Sequence, residues 1–126
     1  MRVLNVRWIG VPTDRYDAMV AFFRDGLGLR TRFEESTTVE LETAEGDRIQ
    51  VFAPGHRYHD FFREHGQGPV PLLEVDDVHC ARRELEAADV EVVGPTDGDD
   101  EWEWIHVRAP DGNLYELASR LPAQSS

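Results

Sequence analysis

Whatever chemistry this chain does must be carried by five histidines, three tryptophans and a spread of carboxylates and amides. His56 and His59 stand three apart, with Asp60 and His65 close behind. On a helix that spacing puts two imidazoles on one face, as in metal-binding helices. No fixed third ligand accompanies them, so they are read as solvated polar residues on a lid. His79 falls in the first turn of a helix, off its apolar stripe, and is expected at the surface. His106 lies on the strand Trp102–Arg108, where alternation sets Trp102, Trp104, His106 and Arg108 on one face. Ile105 and Val107 take the other. His106 is then a general base or a hydrogen-bonded structural histidine, and alternation leaves open which face meets a cavity.

Other chemistries are excluded by what is missing. All 13 basic residues are Arg, which removes a Schiff-base lysine and a phosphate loop of the Lys type. Ser36, Ser119, Ser125 and Ser126 stand in no nucleophile-elbow motif. The single Cys80 permits no internal disulfide and no Cys-rich zinc site, and suits a reducing cytoplasm. Asp plus Glu number 25, giving a net charge of −12. Nucleic-acid binders need the opposite sign, whereas a cationic small ligand would be attracted. No apolar stretch approaches the roughly 18 residues of a membrane span, and the N-terminus lacks the apolar run of a secretory signal. A cytoplasmic protein without nucleic-acid or membrane partners is expected.

The elements that must position these residues come in two copies. Residues 9–28 and 73–90 each run apolar strand, polar cap, helix. Tyr16, Met19, Val20, Phe23 and Leu27 form one helical stripe, and Val78, Ala81, Leu85 and Ala88 the other. Thr13 or Asp14, and Asp76 or Asp77, are the expected N-caps. Glu45-Gly46-Asp47 and Asp111-Gly112-Asn113 mark matching hairpin turns. Further strands are predicted at Leu29–Glu35, Thr38–Thr43, Val90–Val93 and Trp102–Arg108. Each module reads βαβββ. The α+β chain is one domain over 1–126: a first module at 2–54, a linker at 55–68 with a short helix near His59–His65, a second module at 69–119 and a frayed tail at 120–126. A single helix covers one face of a module's sheet, so the other faces must meet, as two curved sheets enclosing a cavity do.

Val11-Pro12-Thr13-Asp14, Phe22-Phe23-Arg24-Asp25-Gly26-Leu27-Gly28-Leu29, Glu74-Val75-Asp76-Asp77-Val78 and Ala109-Pro110-Asp111-Gly112-Asn113-Leu114-Tyr115-Glu116-Leu117 resemble the vicinal oxygen chelate superfamily. It includes glyoxalase I, extradiol dioxygenases, and fosfomycin- and bleomycin-resistance proteins. The resemblance covers about residues 3–119, and its most specific piece is the Pro-Asp-Gly-Asn run. It implies paired βαβββ modules forming an open, cupped barrel, completed in a homodimer. It also implies His, Glu or Gln on the first and last strand of each module wherever a metal is bound. Carried over by position, those places fall on Val6, Gln50, Val70 and Glu116. Valine binds no metal, and Gln50 with Glu116 is too few ligands for zinc or iron.

The resemblance and the aromatic inventory together imply a metal-free, cofactor-free binding protein. It would sequester a bulky, partly aromatic small molecule, with an aromatic or cationic natural-product antibiotic as the specific expectation. Trp8, Phe52, Trp102 and Trp104 would stack against the ligand, while Gln50, His106 and Glu116 would hydrogen-bond it. Asp97, Asp99, Asp100, Glu101 and Glu103 would add a field for a cation. Phe22, Phe23 and Phe33 are assigned to packing. The alternative is a glyoxalase-like lyase or isomerase, with Glu116 as base or ligand and His106 assisting.

Overall fold

The two acidic-Gly turns take the same backbone shape. Gly46 has φ +92° and Gly112 φ +91°, a region that side chains other than glycine rarely occupy. Each turn joins the last two strands of a module, so the repeat read from sequence is also a repeat of conformation. The computed structural model describes residues 1–122; the end of the expected tail, residues 123–126, lies outside them.

Strand β1 (Val3–Pro12) leads to helix α1 (Tyr16–Ala21), which continues as a π-helical turn over Phe22–Gly26. Then come β2 (Arg30–Glu34), β3 (Thr38–Glu42), β4 (Arg48–Phe52) and helix α2 (Arg57–His65). The second half runs β5 (Val70–Val75), α3 (Val78–Ala87), β6 (Asp97–Gly98), β7 (Trp102–Arg108) and β8 (Leu114–Arg120). Asp77 caps α3 by accepting from the His79 and Cys80 amides, as its position predicts. The first helix differs: Arg15 is its N-cap and offers no side-chain bond, while Thr13 Oγ1 accepts from the Arg15 amide one step earlier.

All eight strands form one open sheet in the order β2-β3-β4-β1-β5-β8-β7-β6. The modules meet where β1 pairs antiparallel with β5. Within each module the first strand runs parallel to the last, β1 with β4 and β5 with β8. Phe33 at one end of this order and Gly98 at the other line a single cavity, so the sheet must curl into a cup. This is the α+β cup of paired modules that the repeat predicted.

Two corrections concern the second module and β1. Val90–Val93 is not a strand; only Val92 bridges to Val107, and the edge position passes to the two-residue β6. The paired Gly94 and Pro95 that follow cannot continue a ladder. In β1 the register against β5 shifts between Val6 and Trp8. Such a bulge reverses the side-chain alternation beyond it. Val6 therefore pairs with Leu73, whose side chain packs with α3, and lies on the helix-bearing face, while Trp8 pairs with the cavity-lining Leu72.

Three apolar clusters hold the cup. α3 covers Val75, Ile105, Val107 and Leu117 from outside. α1 and the π-turn cover Val39, Leu41 and Val51. The third lies inside: Phe62 of α2 plugs the cup against Phe52, Val70, Val93 and Leu114. Each fully buried aromatic or aliphatic side chain there stabilises the fold by about 1.5–3 kcal/mol.

Candidate functional site

The cup encloses a cavity of about 430 Å³, open to solvent on one side. Its inner wall follows from alternation. On β4, Arg48, Gln50 and Phe52 share the inner face, running from half-buried to fully buried at the floor. On β3, Thr38 and Glu40 stand directly opposite Phe52 and Gln50. On β7, Trp102 and Trp104 face inward while Ile105 and Val107 pack under α3, which settles the orientation that alternation left open. Helix α2 crosses the opening's inner side and contributes Arg57, Tyr58 and Phe62, with its N-cap His56 beside them.

Of the residues singled out from sequence, Trp8, Gln50, Phe52, Trp102, Trp104 and Glu116 all line this cavity. His106 does not. It is 3% exposed, donates from Nε2 to Glu116 Oε1 at 2.7 Å, and lines a smaller cavity of about 170 Å³ with Tyr58, Phe61 and Asp97. It is directly opposite Glu116 across the β7–β8 ladder, which explains the contact.

The polar atoms of the wall are largely committed to one another. Trp8 Nε1 donates to Gln50 Oε1 at 3.2 Å, and Gln50 Nε2 donates to Thr38 Oγ1 at 3.0 Å. Trp8 lies over Gly10, where a Cβ would stand 2.3 Å from the indole. Trp104 Nε1 donates to the Tyr58 hydroxyl at 2.7 Å, which in turn donates to Asp97 Oδ2 at 2.7 Å. Burial, and then the hydrogen bond to Asp97, push the Tyr58 phenol well above its ordinary range, although the Trp104 bond works the other way. The same Tyr58 bond, with the Gly98 amide, holds Asp97 below the usual carboxylate range. The ring of Trp102 is shared with two guanidiniums, Arg120 Cζ at 4.5 Å and Arg7 Cζ at 5.5 Å from its centre.

Several expectations change here. Asp97 is not free to attract a cation, because Tyr58 and Arg57 already occupy it. Asp99 accepts from the Glu101 and Trp102 amides and shapes the turn before β7. His59 is not solvated: it is 6% exposed, with Nδ1 on Asp60 at 2.9 Å and Nε2 on Asp14 at 3.1 Å, and Arg63 also reaches Asp14. It fastens α2 to the β1–α1 turn. His79 is at the surface as expected, bonded to Glu103. Phe33 is 39% exposed at the cavity rim and Phe22 51% exposed, so neither is core.

The metal that the resemblance implies finds no ligand set in this cavity among the described residues. Val6 faces away and Val70 is buried in the plug cluster, so neither place offers a ligand. Trp8 and Leu72 occupy the facing positions on β1 and β5, and neither an indole nor an alkyl group ligates a metal. Gln50 spends its amide on Trp8 and Thr38. Among the described residues no group of three His, Cys, Asp or Glu side chains is placed to hold a metal ion. The residues present do not fit the group.

Sequence reading missed Tyr58, His56, Phe62, Arg7, Arg48, Thr38 and Glu40 as wall residues. Arg48 was within reach, since it precedes Gln50 by two on the same strand. Arg7 was not, because the bulge that turns it inward has no sequence mark.

A curled sheet of paired βαβββ modules around a cavity is the architecture expected of the vicinal oxygen chelate proteins. The model of the Glyoxalase/Bleomycin resistance protein/Dioxygenase superfamily matches residues 5–117, and the chain belongs to that superfamily. A comparison with curated proteins gives no match. Among solved structures, a hypothetical protein from Bacillus halodurans C-125 aligns with TM-score 0.73 at 16% identity, over 97% of this chain and 98% of that one. Methylmalonyl-CoA epimerase from Mycobacterium tuberculosis aligns with TM-score 0.73 at 20% identity, over 95% and 90%. A glyoxalase/bleomycin resistance protein/dioxygenase superfamily member from Vibrio splendidus 12B01 aligns with TM-score 0.69 at 18% identity, over 93% and 100%. At these identities the likeness is one of fold. No helix among the described residues is long and apolar enough to cross a membrane.

Proposed function

We propose that this chain is a metal-independent binding protein that sequesters a planar, partly aromatic small molecule, a natural-product antibiotic being the class that the family resemblance suggests. The observation that carries this reading is the Trp8–Gln50–Thr38 chain of hydrogen bonds. It fixes an indole on the cavity wall and uses up the one amide that a metal would need. Around it, Tyr58 and Trp104 give flat surfaces at little entropic cost, while Phe52, 2% exposed, packs under the floor and is not a stacking surface. Sequestration requires only a dissociation constant below the toxic concentration. Tryptophan fluorescence titrated with a panel of planar antibiotics and aromatic metabolites tests it. Saturable quenching by at least one compound that the protein leaves chemically unaltered is expected, and turnover of that compound would remove the reading.

The 2.7 Å His106–Glu116 contact favours a second reading, in which Glu116 takes a proton from a bound carbon acid, leaving the carbanion on the ligand, and His106 holds the carboxylate in position. Metal or no metal, that protein would wash deuterium from solvent into its ligand, which a pure binder does not.

A cytoplasmic homodimer is part of the same proposal. Val3, Leu4, Val6 and Ile9 along β1, with Phe22 and Leu27 at the end of the first helix, leave apolar surface exposed. A two-fold isologous pair would cover it with a second copy of itself. Sedimentation at micromolar concentration is expected to give twice 14.4 kDa, and a 14.4 kDa species alone rules the dimer out.

A further inference from the structure

The cavity wall is not electrically like the rest of the molecule. The chain carries a net charge of −12, yet three guanidiniums, Arg7, Arg48 and Arg57, line the cup. Arg7 gives Nε and one Nη to Glu74, and Arg57 gives one Nη to Asp97. The Arg48 side chain makes no hydrogen bond among the described residues, and its buried Nε has only a long ionic contact. The nearest carboxylate, Glu40, stands 3.5 Å from that Nε and is shared with Arg32 at 3.4 Å. Arg48 is also the strand neighbour of Trp8, so a guanidinium without a hydrogen bond of its own sits beside the fixed indole.

The carboxylates on the wall do not offer a matching cationic site. Glu116 is bonded to His106, Asp99 is bound by backbone amides, and Glu40 lies between two arginines. Glu35 sits exposed at the rim. The Arg48 side chain is 31% exposed and its terminal Nη donors make no hydrogen bond among the described residues, so they are open to an acceptor in the cavity, and the planar guanidinium fork is matched by a carboxylate.

Resting on the binding reading above, we propose that the ligand is an aromatic carboxylate, with its rings against Trp8 and Trp104 and its carboxylate on Arg48. The ordering is thus acid over neutral amide over cation. A cationic aromatic, the class suggested by the overall acidity, would meet Arg48 as a like charge.

Calorimetric titration with 2-naphthylacetate, 2-naphthylacetamide and 2-(2-naphthyl)ethylammonium tests the proposal with three matched probes. The acid is expected to bind roughly tenfold or more tighter than the amide, the yield of one charge-assisted pair. Arg48→Gln should remove most of that preference by weakening the acid far more than the amide, while R48K, keeping the charge but not the fork, should keep part of it. The melting temperature of each variant checks that it is folded. If the amide or the cation binds as tightly as the acid, or if R48Q weakens acid and amide alike, the carboxylate assignment is overturned and the binding reading stands. If none of the three probes binds the wild-type protein, the aromatic-binding reading falls, and this proposal with it.

Discussion

The Tyr58 hydroxyl donates to Asp97 Oδ2 at 2.7 Å, joining helix α2 to the edge strand β6 across 39 residues of chain. The same oxygen accepts from Trp104 Nε1, so one phenol fixes the plug helix, the edge and a cavity indole together. Tyr58→Phe keeps the ring and removes both bonds, stranding a half-buried indole N–H. Stability should fall by about 1–3 kcal/mol, the cost of leaving such a donor unmade. Chemical denaturation of the variant would read it, and an unchanged midpoint would mean that water replaces the phenol without penalty.

Trp104 faces the cavity while its neighbour Ile105 is fully buried under α3. Trp104→Ala should weaken ligand binding by roughly 1–3 kcal/mol, the range of a stacked anchor. The fold should survive, since Ile105 and Val107 keep their contacts with α3. A large loss of melting temperature at unchanged affinity would instead make Trp104 a packing residue.

Glu74 is 9% exposed and accepts from Asn5 at 2.9 Å and Arg7 at 2.8 Å. Burial alone would raise its pKa, but the bonds from Asn5 and Arg7 outweigh it and the carboxyl ends below its usual value of 4.5. A depressed carboxylate stabilises the fold above the unfolded pKa, and this contribution is lost as pH falls through the folded pKa. Glu74→Gln should therefore cost about 1.5–3 kcal/mol at neutral pH, as expected for hydrogen bonds to a charged group. The gap to wild type should narrow only below pH 4.5. A gap constant across that range would show that the charge of Glu74 contributes nothing.

The metal-independent reading makes its own demand. Adding zinc, nickel, manganese or iron(II) in excess should leave the melting temperature within error. A ligand that binds only the native state raises stability by mass action, so a saturable rise would reveal a site that the Trp8 and Leu72 positions do not provide.

Local signals in the sequence determined the fold to a good depth. The helical stripes, the Asp77 cap and the two acidic-Gly turns each act within a few residues, and their repetition at matching places required paired modules. Alternation grouped Trp102 with Trp104, and Gln50 with Phe52, because side chains on a strand point to opposite faces in turn. Only the tertiary structure decided which group faced the cavity, through α3 docking on Ile105 and Val107. It also decided that Val6 turns outward and Arg7 inward, since a bulge arises from pairing with β5 and leaves no mark in β1's own residues. His59 read as a lid residue and Tyr58 went unnoticed because their partners, Asp14 and Asp97, lie tens of residues away. Short-range steric and hydrogen-bond preferences are written in the chain locally. Which charges neutralise one another, and which donor is left over at Arg48, depends on contacts between distant strands, and those exist only once the cup has closed.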